Sequence, residues 1–265
     1  MIEGHVIDRL QSLGISIPEV EMLYPKTRAR DENVPLAQSL PMICAFNLTL
    51  AHAVRRAVKS GSFPVVLGGD HTNAIGTWNG IEGPVGLLWI DAHLDAHTLK
   101  TSPSGAYHGM PAAALLGYGD SQMTQLIRKE PVLKPQNLAF IGARSFEEGE
   151  EALLKKLNVR IYFMDEVKKR GLKEILPEAL AHVMRGASHL GVSLDLDFFD
   201  PHDAPGVGSP EAGGVRPSEF LPLLSLIRSD KRLAAFELVE LNPERDVTHK
   251  TRELSYQILR EVMSS

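Results

Sequence analysis

"VGLLWIDAHLDAH", residues 85–97, joins an unbroken apolar run to two aspartates and two histidines. A run that is apolar at every position, rather than at alternate ones, fits a strand covered on both faces, as in a parallel sheet. Five more runs of this kind are present, namely "FPVVLGG" (63–69), "NLAFIGA" (137–143), "VRIYFM" (159–164), "HLGVSLDLD" (189–197) and "LAAFELVEL" (233–241). Helical patterns fall between them at 36–61, 149–158 and 218–230. Strand and helix in alternation predict an open α/β sheet. No repeat or dividing linker interrupts residues 1–265, so one domain is expected; the Pro- and Gly-rich stretch 200–217 reads as a long, functional loop.

Composition narrows the partners. The 265 residues are 43% hydrophobic, enough for a sizeable core, and carry a formal net charge of -5. No Lys/Arg cluster is present, which argues against a nucleic-acid or anionic-membrane partner and for a small molecule. Cys44 is the lone cysteine, the amino-terminal "MIEGHVIDRL" has no signal-peptide pattern, and no run is long enough to span a membrane. A soluble, cytoplasmic protein is expected.

In open α/β sheets ligands bind beyond the carboxyl ends of the strands. There this sequence collects its ionisable residues: Asp70 and His71 after "VVL", Asp91, His93 and Asp95 after "LLWI", Asp195 and Asp197 in "VSLDLD", and Glu240 after "FELV". Residues two apart in an extended segment share a side, so Asp91, His93 and Asp95 are expected to point together, as are Asp195 and Asp197. Four carboxylates in one crevice repel each other, and each must be protonated or paired. Two divalent cations would offset them. An oxygen-rich donor set with two imidazoles and no thiolate favours Mn²⁺ over Zn²⁺. Two metals about 3.5–4 Å apart can lower the pKa of a bridging water toward neutrality and supply a hydroxide, which points to hydrolysis. Glu240 suits a guanidinium through charge-assisted hydrogen bonds, and His108 suits protonation of a departing amine. Asp70 is expected to orient a metal-bound histidine. His5, His52, His182, His189, His202 and His249 lack convergent acidic partners and are expected to be surface or structural.

From about Phe63 to Asp246 the elements "GGDHT", "DAHLD", "SPSGAYHGMP", "SLDLDFFDP", "PGVGSP" and "ELVELNPERD" occur in an order that resembles the arginase, or ureohydrolase, family. The resemblance implies a three-layer α-β-α fold with a mostly parallel, eight-stranded sheet, two Mn²⁺ per chain, and hydrolysis of a guanidino substrate to urea and an amine. It implies His71, Asp91, Asp95 and Asp195 as ligands of one ion and His93, Asp91, Asp195 and Asp197 as ligands of the other. It also implies that Asp95 orients the hydroxide, that His108 is the proton shuttle, and that Glu240 holds the guanidinium. The segment "TSPSGAYHGMP" and the thirteen-residue step from Asp95 to His108 resemble bacterial arginases, which favours L-arginine and the products urea and ornithine. At the far end of the substrate, Ser104 and Glu150 keep the family types, whereas His97 and Ala106 stand where arginases usually have Asn, and Glu147 where they have Asp. Agmatinase, guanidino-acid hydrolase and formimidoylglutamase activities are the alternatives, followed by a non-catalytic binding protein. The chain ends soon after "LSYQILREVMSS", so the tail that helps some arginases form trimers is expected to be short; a homo-oligomer remains an expectation.

Overall fold

The computed structural model describes residues 3–25 and 36–264. Each of the six apolar runs becomes a strand: β1 (Val65–Leu67), β2 (Val85–Ile90), β3 (Leu138–Ile141), β4 (Arg160–Tyr162), β5 (His189–Asp195) and β6 (Leu233–Val239). They form one sheet in the order β1-β6-β5-β2-β3-β4, and every pairing is parallel. The described sheet therefore has six strands where eight were expected. Besides these ladders, Phe199 and Val215 form an isolated parallel bridge. The loop between them carries Pro201, Pro205 and Pro210, which cannot donate to a ladder.

Helices cover both faces. On one face, Leu88 and Ile90 of β2, Val192 and Leu194 of β5 and Phe236 of β6 pack with the helices Leu172–Val183 and Lys250–Met263. On the other, Leu87 and Trp89 of β2 and Phe140 of β3 pack with residues of the helices Leu36–Lys59, Asn73–Asn79 and Glu148–Lys156. Alternate residues of one continuous apolar strand thus feed two cores, which is why these strands lack a polar face. Gly191 in β5 allows the close fit on the second face, since a Cβ there would run into the ring of Trp78.

The predicted helix at 36–61 is Leu36–Lys59, and Gly61 follows with φ +80°. The pattern at 149–158 gives Glu148–Lys156. The one expected at 218–230 is broken into Pro217–Phe220, a 3₁₀ turn at Leu221–Leu223 and Leu224–Arg228, because Pro222 lacks the N–H that a continuous helix needs. No described helix is long and apolar enough to cross a membrane.

The strand order determines where a site can form. From β2 the chain moves outward through β3 to β4, then returns to place β5 on the opposite side of β2. The connections leaving β2 and β5 therefore diverge, opening a crevice at their carboxyl ends.

Candidate active site

Asp91 directly follows β2 and Asp195 is the last residue of β5, so the two strands beside the crevice each deliver a carboxylate into it. His71 arrives four residues after β1, and Glu240 immediately follows β6. The side chains converge as expected, but not by continued extension. Asp95 takes a left-handed backbone conformation with φ +45°, and Asp197 lies in a 3₁₀ turn, Leu196–Phe198, whose cap is Asp195. Glu240 is also left-handed, at φ +67°. Such conformations cost about 1–3 kcal/mol for residues with a Cβ and concentrate at functional sites.

Two clusters result. His71 Nδ1 lies 3.2 Å from Asp91 Oδ2, 3.0 Å from Asp95 Oδ2 and 3.1 Å from Asp195 Oδ2. His93 Nδ1 lies 3.0 Å from Asp197 Oδ2 and 3.5 Å from Asp91 Oδ1. Asp91 serves both with different oxygens. The backbone fixes these carboxylates: His93 N donates to Asp91 Oδ1 at 2.7 Å, Asp197 N to Asp195 Oδ1 at 2.8 Å and Ala92 N to Asp197 Oδ1 at 3.2 Å. His71, Asp91 and Asp195, and likewise Asp91, His93 and Asp197, have ligand atoms close enough to hold one cation each.

The donor chemistry fits metal ions. His71 Nδ1 is buried without a hydrogen-bond partner although three carboxylate oxygens face it. Its other nitrogen is committed. Ser193 Oγ donates to Glu237 Oε2 at 2.6 Å, so its hydroxyl proton is committed and it accepts from His71 Nε2–H at 3.0 Å. That leaves Nδ1 facing the carboxylates: burial opposes a proton there, but Asp195, Asp91 and Asp95 outweigh it and hold the His71 pKa well above its ordinary value, so a metal bound at Nδ1 would take the place of that proton. The ring is also stacked on Trp89 at 4.3 Å, and Trp89 Nε1 donates to Asp91 Oδ2 at 2.9 Å.

Sequence reasoning missed this support. Trp89, Ser193 and Glu237 are register partners across β2, β5 and β6, so they form one polar row beneath His71. Glu237 is fully buried and also accepts from Thr77 Oγ1 at 2.6 Å. A serine and a glutamate inside otherwise apolar strands were the available signal. Asp70, expected in this orienting role, instead is exposed and accepts from Thr72 N at 2.8 Å to shape the turn.

Above the clusters lies a pocket of about 160 Å³, lined by Glu240, His108, Ser104, His97, Glu147 and Glu150 together with ligand-type residues. Glu240 Oε1 accepts from His71 N at 2.9 Å. His108 sits exposed in the 3₁₀ turn Tyr107–Gly109. His97 does not stand free: Nε2 is 2.8 Å from Glu147 Oε2 and 3.2 Å from Glu150 Oε2. Glu147 and Glu150 form the capping box of the helix Glu148–Lys156. Ala106 also lines the pocket and offers no polar side-chain atom there. Of the six other histidines, His52, His202 and His249 are exposed, and His182 and His189 are half-buried away from the pocket. The side chain of His5 lies outside the described residues.

The site binds protons readily. Burial disfavours the charged form of His93, but hydrogen bonds to Asp197 and Asp91 outweigh it and push its pKa up to about 12. Burial first, then the charge of Asp91, pushes Asp95 up to about 8. Burial also raises Glu150 and Glu240 to about 7 each, with the charge of Asp70 adding to Glu240. All four folded values exceed the ordinary ones, so the folded state holds more protons than the unfolded chain between them. For the carboxyl groups the resulting stability is full near pH 4 and lost as pH rises toward 7 or 8; for His93 it declines from 6.5 upward. Burial pushes Asp91 up, but the adjoining His71 and His93 imidazoles outweigh it and hold this carboxyl below its usual range, so its contribution is constant above pH 5.

Two outcomes are expected. The unfolding midpoint of chelator-treated protein should fall between pH 5.5 and pH 8, and a flat or rising profile would contradict the shifts. Ser193→Ala should lower Mn²⁺ affinity about tenfold or more, because it removes the acceptor that sets the His71 tautomer; an unchanged Mn²⁺ binding isotherm would refute that role.

The comparisons with known proteins agree with this geometry. A family model described as the Arginase family matches residues 23–264. The chain is 36% identical over 259 residues to the arginase of Bacillus caldovelox, covering 96% of this chain and 87% of that protein. It is 36% identical over 263 residues to the arginase of Bacillus subtilis strain 168, covering 98% and 88%. A crystal structure of arginase from Bacillus subtilis strain 168 superposes with a TM-score of 0.90 at 35% identity, covering 98% of this chain and 89% of that one. Formimidoylglutamase from the same organism gives a TM-score of 0.75 at 23% identity over 98% and 79% of the two chains, a likeness of fold alone. With its parallel sheet, its two linked His–carboxylate clusters and these matches over nearly its whole length, the chain belongs to the arginase family.

Proposed function

We propose that the protein hydrolyses the guanidino group of L-arginine to urea and ornithine with two Mn²⁺ ions per chain. The observation that carries this reading is the pair of clusters sharing Asp91 beneath a pocket lined by Glu240 and His108. One ion would be held by His71, Asp91, Asp95 and Asp195, and the other by His93, Asp91, Asp195 and Asp197. When bound, two such ions supply Lewis acidity and activate water for attack near neutral pH.

The chain's own residues do the rest. Glu240, anchored by His71 N, accepts hydrogen bonds from the substrate guanidinium and places its carbon over the clusters. Asp95, turned inward by its left-handed backbone, accepts a hydrogen bond from the attacking water and orients it. His108, exposed at the pocket rim, delivers a proton to the departing amine nitrogen. Ser104, His97 and Glu147 meet the far end of the substrate. A specific observation favours a second reading there. His97 is already paired with Glu147 and Glu150, and the Ala106 side chain offers no hydrogen-bonding atom, so an α-carboxylate is poorly served. Each hydrogen bond to a charged group that is lost costs about 1.5–3 kcal/mol. A guanidino substrate without that carboxylate, such as agmatine, fits this second reading.

Urea release from the Mn²⁺-loaded protein tests both. Arginine should be hydrolysed with a raised KM that His97→Asn lowers, and His108→Ala should reduce kcat about a hundredfold or more without changing Mn²⁺ content. Agmatine hydrolysed far better than arginine would replace the first reading with the second. Urea from neither substrate, nor from shorter guanidino acids, would overturn both.

A further inference from the structure

The two histidines of the centre are supported unequally. His71 is buried, stacked on Trp89 and bonded through Nε2 to Ser193. The His93 side chain is 24% exposed, and its Nε2 faces one carboxylate, Glu211 Oε1, at 3.9 Å. Glu211 belongs to the Pro- and Gly-rich loop, yet it is held from two directions. Ser145 Oγ donates to the same Oε1 at 3.0 Å, and Arg144 Nη2 donates to the Glu211 carbonyl at 2.8 Å. That same Nη2 donates to the carbonyl of Asp197 at 2.7 Å, and Arg144 Nε donates to the Ala212 carbonyl at 3.1 Å. One half-buried guanidinium therefore ties the turn that carries Asp197 to the loop segment that carries Glu211.

We propose that Glu211 is a positioning residue for His93, and that Ser145 holds its carboxylate, and Arg144 its backbone, in place for that role. A negative charge beyond Nε2 favours the tautomer with its proton on Nε2, leaving Nδ1 free to face Asp197 and Asp91 as a ligand, and makes the ring a stronger donor. At 3.9 Å the coupling is electrostatic rather than a direct hydrogen bond, so its effect falls at the weak end for partners of metal-bound histidines. The competing account is an exposed ion pair with no measurable consequence. This proposal rests on the binuclear reading above, and it concerns retention of the ion nearer His93 rather than turnover.

The test is stepwise removal of Mn²⁺ by a competing chelator from the full-length wild type, Glu211→Gln, Glu211→Ala and Ser145→Ala, together with unfolding of each metal-free protein. Glu211→Gln keeps the size of the side chain and removes its charge. It should weaken one of the two ions about tenfold, leave the other unchanged, and leave the metal-free unfolding midpoint unchanged. Ser145→Ala should fall between wild type and Glu211→Gln. Release curves identical to wild type in both Glu211 variants would overturn the proposal. So would equal weakening of both ions accompanied by lower metal-free stability, which would mark Glu211 as a general prop of the loop. A wild type that takes up fewer than two ions would instead overturn the binuclear reading on which the proposal stands.

Discussion

β2 and β5 are neighbours in the sheet although β3 and β4 lie between them in the chain, and the functional geometry depends on that adjacency. The chain's direction along the sheet reverses there, so the helical connections separate and leave a crevice at the strand ends. Asp91 and Asp195 are the first charged residues past the apolar parts of these two strands. The same topology that buries the sheet on both faces therefore forces two carboxylates together, and Asp95 and Asp197 join them through local turns. In a buried crevice that arrangement is stable only with positive charge among the carboxylates, either protons or metal ions. The upward shifts of Asp95 and His93 express the same demand.

Around the carboxylates, the protein limits how the two imidazoles can respond. The row Trp89, Ser193 and Glu237 runs across three strands and fixes His71 from below, so rigid sheet rather than loop sets that ligand. The His93 side depends on turns and on the long loop, with Arg144 bracing Asp197, Glu211 and Ala212 through their carbonyls. If two ions are held as proposed, a centre with one histidine supported by the sheet and the other by a loop would hold them with different firmness. The left-handed backbones of Asp95 and Glu240 serve the same convergence: each residue turns back into the crevice where an extended chain would have carried it past.

Much of this is legible in the sequence. Continuous apolar runs identify all six strands because burial on both faces removes the alternation that would otherwise blur them, and the ligand-type residues stand at the ends of those runs. Less can be read where contacts join residues far apart in the chain. The Ser193–Glu237 pair joins two strands, and Arg144 reaches carbonyls 53 to 68 positions away; neither leaves a local pattern. Period-two reasoning brings Asp91, His93 and Asp95 together for the wrong reason, since a left-handed turn rather than extension aims Asp95. Asp70 stands beside His71 in the chain, but its carboxylate is committed to the turn. The helix expected at 218–230 breaks at Pro222, where the missing N–H overrides a strong apolar pattern. The expectation of eight strands comes from family likeness, and the apolar runs themselves number six.

The central claim is that the carboxylates converging at the β2–β5 crevice form a binuclear metal centre with Asp91 between its two halves. Metal analysis of the protein after Mn²⁺ loading and removal of excess, combined with anomalous diffraction at the manganese edge, tests it most directly. The account predicts two ions per chain, one beside His71 and one beside His93, each within ligand distance of Asp91. A single ion, or two ions of which one lies away from these residues, would contradict it.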